Sequence, residues 1–226
     1  MESIIKAQDV KRAFPIPGGE DFYALKGISL EIPRSKLTIL KGRSGSGKTT
    51  LINLLGALDI PTSGKIIFDN EPLSELPEAQ RELIRRNRIG FVFQSVSLIP
   101  MMTAFENVEF VLRMAGYEGD RDKRAEECLK MVGLGSRMHH MPEELSGGEQ
   151  QRVAIARAVA HRPMVIFADE PTAELDSQTA VSVVELFKEM VAKEGVTIVM
   201  TTHDTSLMGA ADCVYELEDG SLVNNG

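Results

Sequence analysis

Lys41-Gly42-Arg43-Ser44-Gly45-Ser46-Gly47-Lys48-Thr49-Thr50 is preceded by Leu37-Thr38-Ile39-Leu40 and followed by Leu51-Ile52-Asn53-Leu54-Leu55. The apolar run in front reads as a buried strand. The run behind, unbroken until Gly56, reads as the first turns of a helix. Between them lies the pattern G-x-x-x-x-G-K-[ST]. A strand, a glycine-rich loop and a helix start together make a phosphate cradle. Gly42, Gly45 and Gly47 let the backbone curl until successive N–H groups face one anion. The loop from Gly42 to Thr50, with Arg43, Ser44 and Ser46, is the expected phosphate contact. Lys48 can reach the β- and γ-phosphates, and the Thr49 hydroxyl can ligate Mg²⁺. The stretch predicts an α/β fold that binds a nucleoside triphosphate.

Such a loop needs a carboxylate to hold the metal, and Val165-Ile166-Phe167-Ala168-Asp169-Glu170 supplies two. An apolar strand delivers both acids at its C-terminal end, where ligands bind in parallel sheets. Asp169 is placed to hold Mg²⁺ through water, and Glu170 to orient the attacking water. Phosphoryl transfer calls for that division of labour.

The remaining chain fits around these two strands. Ile4–Val10 and Ile28–Ile32 are β-prone and suit an antiparallel pair in a small layer beside the main sheet. Ile66–Asn70 and Ile89–Phe93 read as strands, and Glu78–Arg86 as a short helix. Its run of Arg81, Arg85, Arg86 and Arg88 is expected to be a solvated face. Thr103-Ala104-Phe105-Glu106 and Ser146-Gly147-Gly148-Glu149 are capping boxes that open helices. A further amphipathic helix spans Asp120 to Val132, so residues from about 95 to 160 form a helical insertion between strands. Ser177–Glu194 reads as a long helix, Val196–Thr201 as a buried strand, and Val214–Val223 as a terminal hairpin. Strands alternating with helices predict a largely parallel sheet covered on both faces.

Composition narrows the class. The 226 residues suffice for one α/β domain with an inserted subdomain, and no apolar run is long enough to span a bilayer. The start, Met1-Glu2-Ser3-Ile4, lacks the features of a signal peptide, so residence in the cytosol is expected. A net charge of -8 argues against a nucleic-acid surface. Cys128 and Cys213 lack metal or redox spacing and are expected to be buried and reduced. His139-His140 has no further ligand at metal spacing and reads as a solvated loop.

Leu145-Ser146-Gly147-Gly148-Glu149-Gln150-Gln151-Arg152 resembles the signature sequence of the ATP-binding-cassette (ABC) ATPases, and the resemblance covers essentially the whole chain. Other motifs stand in the family's order: Gln94 as the Q-loop residue, Ala173-Glu174-Leu175-Asp176 as the D-loop, and Thr202-His203-Asp204 with the switch histidine. Phe14 stands where the family stacks an aromatic on adenine. The resemblance implies ATP and Mg²⁺ as ligands, with Thr49, Gln94 and Asp169 around the metal. It also implies that His203 bonds the γ-phosphate and holds Glu170 and the water in line. A P-loop NTPase core, residues 1–94 and 161–226 with an antiparallel β layer, would carry the helical signature subdomain. A second copy would bind head to tail, so that Ser146, Gly147, Gly148, Glu149 and Asp176 complete its partner's ATP site.

Signature physics agrees, because a serine and two glycines at a helix start make a second anion site. Glu174 departs from the small or amide residue usual in close relatives, and Arg43 adds charge to the P-loop. The segment from Gly90 to Glu109 resembles one subgroup: lipoprotein-release, macrolide-export, cell-division and antimicrobial-peptide-resistance ATPases. That implies separate integral membrane permease subunits and a place on the inner face of the cell membrane. An alternative is a regulatory module that signals to a cell-wall enzyme and translocates nothing. Six of the eleven methionines fall between Met101 and Met141. They suit either a partner groove or a small helical core.

Overall fold

The protein is described as a computed structural model covering residues 2–224. Its centre is β3 (Leu37–Lys41), the strand that feeds the P-loop, flanked by β7 (Thr197–Thr202) and β8 (Cys213–Glu218), both parallel to it. Beyond β7 lie β6 (Val165–Ala168) and β5 (Ile89–Val92), and beyond β8 the antiparallel edge strand β9 (Ser221–Asn224). The sheet order is β5-β6-β7-β3-β8-β9.

Alternation along these strands sorts the apolar side chains into two cores. Leu37 and Ile39 of β3, Ile166 and Ala168 of β6, and Ile198 and Met200 of β7 drop to one face. Leu40, Val165, Phe167 and Val199 drop to the other. A strand buried on both sides leaves no place for alternating polar residues, which is why Val165–Ala168 is apolar throughout.

The second face carries α1 (Lys48–Leu55) and a three-stranded antiparallel sheet, β2-β1-β4. These strands are β1 (Ser3–Phe14), β2 (Phe22–Pro33) and β4 (Ser63–Phe68). β1 and β2 run well past the limits expected from their apolar runs, pairing as far as Phe14 with Phe22. Register shifts near Val10 bend the ribbon, and Phe14 ends at the mouth of the P-loop cavity.

The first face carries α3 (Ala104–Met114), α4 (Arg121–Met131), α5 (Gly147–Val159) and α6 (Ser177–Glu194). Each start has a local cause. Thr103 and Ser146 form capping boxes with Glu106 and Glu149, while Asp120 and Asp176 accept backbone N–H groups of their first turns. α6 stops at Gly195, whose φ of 67° suits a residue without a side chain. Cys128 lies in this core, and burial pushes its thiol up to about 11, so it stays neutral. Cys213 is only half-buried; both thiols are free.

The arginine-rich helix differs from the expected solvated face. In α2 (Glu78–Arg88), Arg81 is buried, Arg85 donates to the carbonyl of Ala57, and Arg88 bridges Asp69 and Glu71. Only Arg86 of the four is exposed. Ala57, Asp69 and Glu71 lie 28, 19 and 17 residues from the arginines they meet, in and beside turns whose position the local pattern does not fix. The methionines divide: Met101 and Met114 face outward, whereas Met131 and Met138 pack against the helical core.

α5 lies hard against β5, since a Cβ at Gly90 would collide with the carbonyl oxygen of Ala158. Gly90→Ala should therefore cost about 1–3 kcal/mol, the usual toll of overpacking. Urea denaturation should show a lower midpoint at unchanged m-value; an unchanged midpoint would mean that α5 gives way freely.

Candidate functional site

The loop after β3 is shaped by two close backbone approaches. A Cβ at Gly42 would meet the Leu217 carbonyl, and one at Gly47 would lie 2.7 Å from the Ala24 carbonyl. Gly45 and Gly47 adopt φ of 79° and 101°, conformations disfavoured for residues with side chains. Gly220, in the turn between β8 and β9, donates to the Ser46 carbonyl at 3.1 Å and accepts from Lys26 N–H at 2.8 Å. The C-terminal hairpin thus clamps the loop to β2.

Lys48 is nearly buried, its side chain 5% exposed. Its Nζ donates to the carbonyls of Gly42 (2.8 Å) and Arg43 (3.1 Å), and lies 3.3 Å from Glu170 Oε1. α1 starts at Gly47 with no capping side chain and no acidic residue in its first turn. Each of α3 to α6 carries a side-chain cap. The uncapped N–H groups and the positive helix end suit an anion. Ser46 Oγ is buried without a hydrogen-bond partner, and it can serve the same anion. The cradle fits a polyphosphate.

Across from it, β6 delivers Asp169 and Glu170. Glu170 Oε2 is 3.3 Å from His203 Nδ1, so one carboxylate spans the Lys48 ammonium and the imidazole. Glu170 has φ of 44°, a left-handed value that costs a non-glycine residue about 1–3 kcal/mol. Its N–H donates to Thr201 Oγ at 2.8 Å, and the same hydroxyl donates to Asp169 Oδ1 at 2.6 Å. Among the described residues no group of three His, Cys, Asp or Glu side chains could hold a metal alone. Mg²⁺ accepts hydroxyl, carboxylate and phosphate oxygens together, a donor set that Thr49, Asp169 and a bound polyphosphate provide.

Most of the predicted site residues border a cavity of about 680 Å³, whereas Gly42, Ser46 and Asp169 are not in its lining. Its lining takes in Phe14, Arg43, Ser44, Gly45, Gly47, Lys48, Thr49, Thr50, Gln94, Glu170 and His203. Gln94, exposed just past β5, also borders a second cleft with Gly147, Gln151, Pro171 and Glu174. Two lining residues escaped the sequence reading: Phe22, paired with Phe14 across the β1–β2 ribbon, and Ala24. Behind Phe14 the Arg12 guanidinium lies 4.7 Å from the ring centroid, held by a forked pair of bonds to Asp59 at 2.8 and 3.0 Å. The i, i+2 spacing of Arg12 and Phe14 on a strand signals a shared face, but Asp59 lies 47 residues away.

The signature residues stand apart from this cavity. Ser146 Oγ accepts from Glu149 N–H at 3.3 Å, and Glu149 accepts from Ser146 N–H at 2.8 Å. The Ser146 backbone N–H, together with its hydroxyl, holds the Glu149 carboxyl below its usual range. The first helix amides, of Gly147 and Gly148, have no carbonyl one turn back to meet. A Cβ on Gly147 would meet open space, and one on Gly148 would press on Thr179 of α6. Asp176 caps α6, accepting from Gln178 and Thr179 N–H and from the Thr179 hydroxyl at 2.6 Å, which holds its carboxyl low. Neither Ser146 nor Asp176 lines the cavity of its own chain.

The family profile described as ABC transporter matches residues 25–173. This chain is a member of the ABC transporter ATP-binding family. The ABC transporter ATP-binding protein MJ0796 of Methanocaldococcus jannaschii is 44% identical over 224 residues, 97% of this chain and 95% of its own. A dimeric structure of that cassette, in a post-hydrolysis state bound to ADP and Pi, superposes with a TM-score of 0.89 at 42% identity, over 97% of each chain. The macrolide export ATP-binding/permease protein MacB of Syntrophobacter fumaroxidans is 44% identical over 97% of this chain, which spans 31% of that longer protein. CbiO1 of Clostridium perfringens, part of the ABC transporter complex CbiONQ, matches with a TM-score of 0.87 at 30% identity, over all of this chain and 89% of its own. The ABC fold, ATP as ligand and ATPase activity follow from membership.

Phe14 tests the base-binding end of the ABC cavity. Base–aromatic stacking is worth about 1–3 kcal/mol by alanine substitution, so Phe14→Ala should weaken ATP binding about five- to hundredfold. Titration with a fluorescent ATP analogue reads this directly; wild-type affinity would remove Phe14 from the site.

Proposed function

We propose that this chain is the ATP-hydrolysing subunit of a membrane ABC complex, closing head to tail on a second copy around two ATP molecules. One observation carries the reading. The chain has two helix starts that offer glycine amides, at Gly47 and, inside the Ser146–Glu149 capping box, at Gly147 and Gly148, and only the first is surrounded by a lysine, an acid and an imidazole. A second copy would bring the other. The dimeric form of MJ0796 supports this arrangement.

In the proposed site the Gly42–Thr50 loop binds the phosphates, with Lys48 turned toward the γ-phosphate and Phe14 against the adenine. Thr49, Asp169 and Gln94 hold Mg²⁺, which when bound offsets the negative charge of the phosphate oxygens. Glu170 orients the attacking water in line with the γ-phosphorus and takes up its proton. His203, already beside Glu170, fixes that carboxylate and donates to the γ-phosphate. Ser146, Gly147 and Gly148 of the second copy close over the same phosphate, with Glu149 bracing the signature turn and Asp176 reaching the interface. The helices between residues 95 and 160 act as the subdomain that moves with the signature.

No helix among the described residues is long and apolar enough to cross a membrane; in the proposed complex integral membrane permease subunits carry the spans. The site for them is a cleft of about 190 Å³ between core and helices, lined by Arg86, Phe91, Val111, Met114 and Arg157. Met114, half-exposed at its rim, suits an adaptable apolar contact. The complex would place this chain on the inner face of the cell membrane and drive export or mechanical transmission. The MacB relatives, in which ATP-binding and permease parts share one name, favour that over a purely regulatory module.

Glu170→Gln should keep ATP binding, lose turnover by about 100-fold or more, and accumulate an ATP-dependent dimer in size-exclusion chromatography. Turnover at the wild-type rate would eliminate Glu170 as the water-positioning base. Lys48→Ala should instead weaken ATP binding itself, and normal affinity in that variant would count against the cradle.

A further inference from the structure

We propose that Thr201 is a positioning residue for hydrolysis, tying the metal-holding carboxylate to the water-orienting one through a single hydroxyl. The inference rests on the roles given above to Asp169 and Glu170.

Thr201 lies in β7, fully buried, on the face it shares with Val199. A hydroxyl in that apolar setting must be hydrogen-bonded or cost the strand its stability. Its bonds go to two neighbours in one stroke. It gives its only proton to Asp169 Oδ1 at 2.6 Å and accepts the Glu170 N–H at 2.8 Å. The direction is fixed, because a backbone N–H cannot accept and an ionised carboxylate cannot donate.

Two consequences follow. With Oδ1 tied to Thr201, rotation of the Asp169 carboxylate is restricted, which leaves its other oxygen to serve the metal. The Glu170 peptide, with φ of 44°, sits where a non-glycine residue does not rest unaided. The Thr201 hydroxyl is what its N–H holds on to. The carboxylate carried by that residue meets Lys48 and His203 at 3.3 Å each, so its aim depends on the same peptide. One buried oxygen therefore sets where the metal is gripped and where the water is oriented.

Thr201→Val keeps the shape and removes the hydroxyl, leaving the Glu170 N–H without a partner and Asp169 Oδ1 free to turn. The expected result is near-normal ATP binding, turnover lower by about tenfold or more, and a higher Mg²⁺ concentration for half-maximal hydrolysis. Thr201→Ser, which restores the oxygen without the methyl, should recover both rate and Mg²⁺ dependence. Wild-type turnover and Mg²⁺ dependence in Thr201→Val would overturn the inference. So would a loss that Ser fails to rescue, or one accompanied by an equal loss of ATP binding and of the thermal unfolding transition. Glu170→Gln run in parallel separates the levels. If it is inactive while Thr201→Val is normal, only the Thr201 inference falls; if it hydrolyses ATP normally, the underlying reading falls with it.

Discussion

A buried ammonium is the constraint from which the rest of this site follows. Lys48 is 5% exposed, and a lone charge so placed would be costly. The protein answers with two loop carbonyls and the Glu170 carboxylate. Between those carbonyls, of Gly42 and Arg43, and the lysine, Gly45 and Gly47 turn the backbone through left-handed conformations, which folds the loop back over Nζ. Glu170 can reach only because β6 stands two strands from β3, with β7 between them. Sheet order, loop glycines and strand-end acids are thus one solution to a single electrostatic problem. Triphosphate brings far more negative charge than Glu170 alone, so the pocket holds its cation ready for a stronger partner.

The order of the sheet also explains how the two ends of the molecule divide their work. Alternation along β3, β6 and β7 sends half of each strand to α1 and the antiparallel sheet, and half to α3–α6. The nucleotide cavity opens on the side of α1, where β1 and β2 bring Phe14 and Phe22 to the loop. The signature helix belongs to the side of α3–α6. Gln94, bordering both the phosphate cavity and the cleft toward Gly147, is where the two sides meet. A residue there feels a change in either.

Much of this was legible in the sequence because its causes are local. The P-loop carries its own glycines, the capping boxes at Thr103 and Ser146 lie within four residues, and the apolar run before Asp169 can only be a buried strand. Ser177–Glu194 is a helix with the predicted limits. What escaped depends on partners far along the chain. Arg85 and Arg88 look like part of a solvated stripe until Ala57, Asp69 and Glu71 are placed beside α2. Arg12 gains its role only from Asp59. Thr201 reads as one more β-branched residue in a strand, since its type fits there for packing reasons alone. The far ends of the ribbon were missed for a related reason: β1 is bent by register shifts near Val10 and carries Lys11 and Arg12 there, and in β2 Lys26 and Gly27 separate the apolar run Phe22–Leu25 from the rest of the strand.

The hairpin clamp on the P-loop bears on how the chain acquires its activity. Ser46 is held by Gly220, and Gly220 in turn by Lys26, so the phosphate loop is stapled from the two ends of the molecule. Contacts this distant in sequence form late, after the loop-closure entropy has been met by nearer pairings. A nascent chain can therefore build α1 and pair β1 with β2 long before its cradle takes shape. Competence to bind nucleotide waits for β8 and β9, which follow the loop they hold only after β4 to β7 and α1 to α6 have been made, and without that hairpin the phosphate loop would lack the contact that ties it to β2.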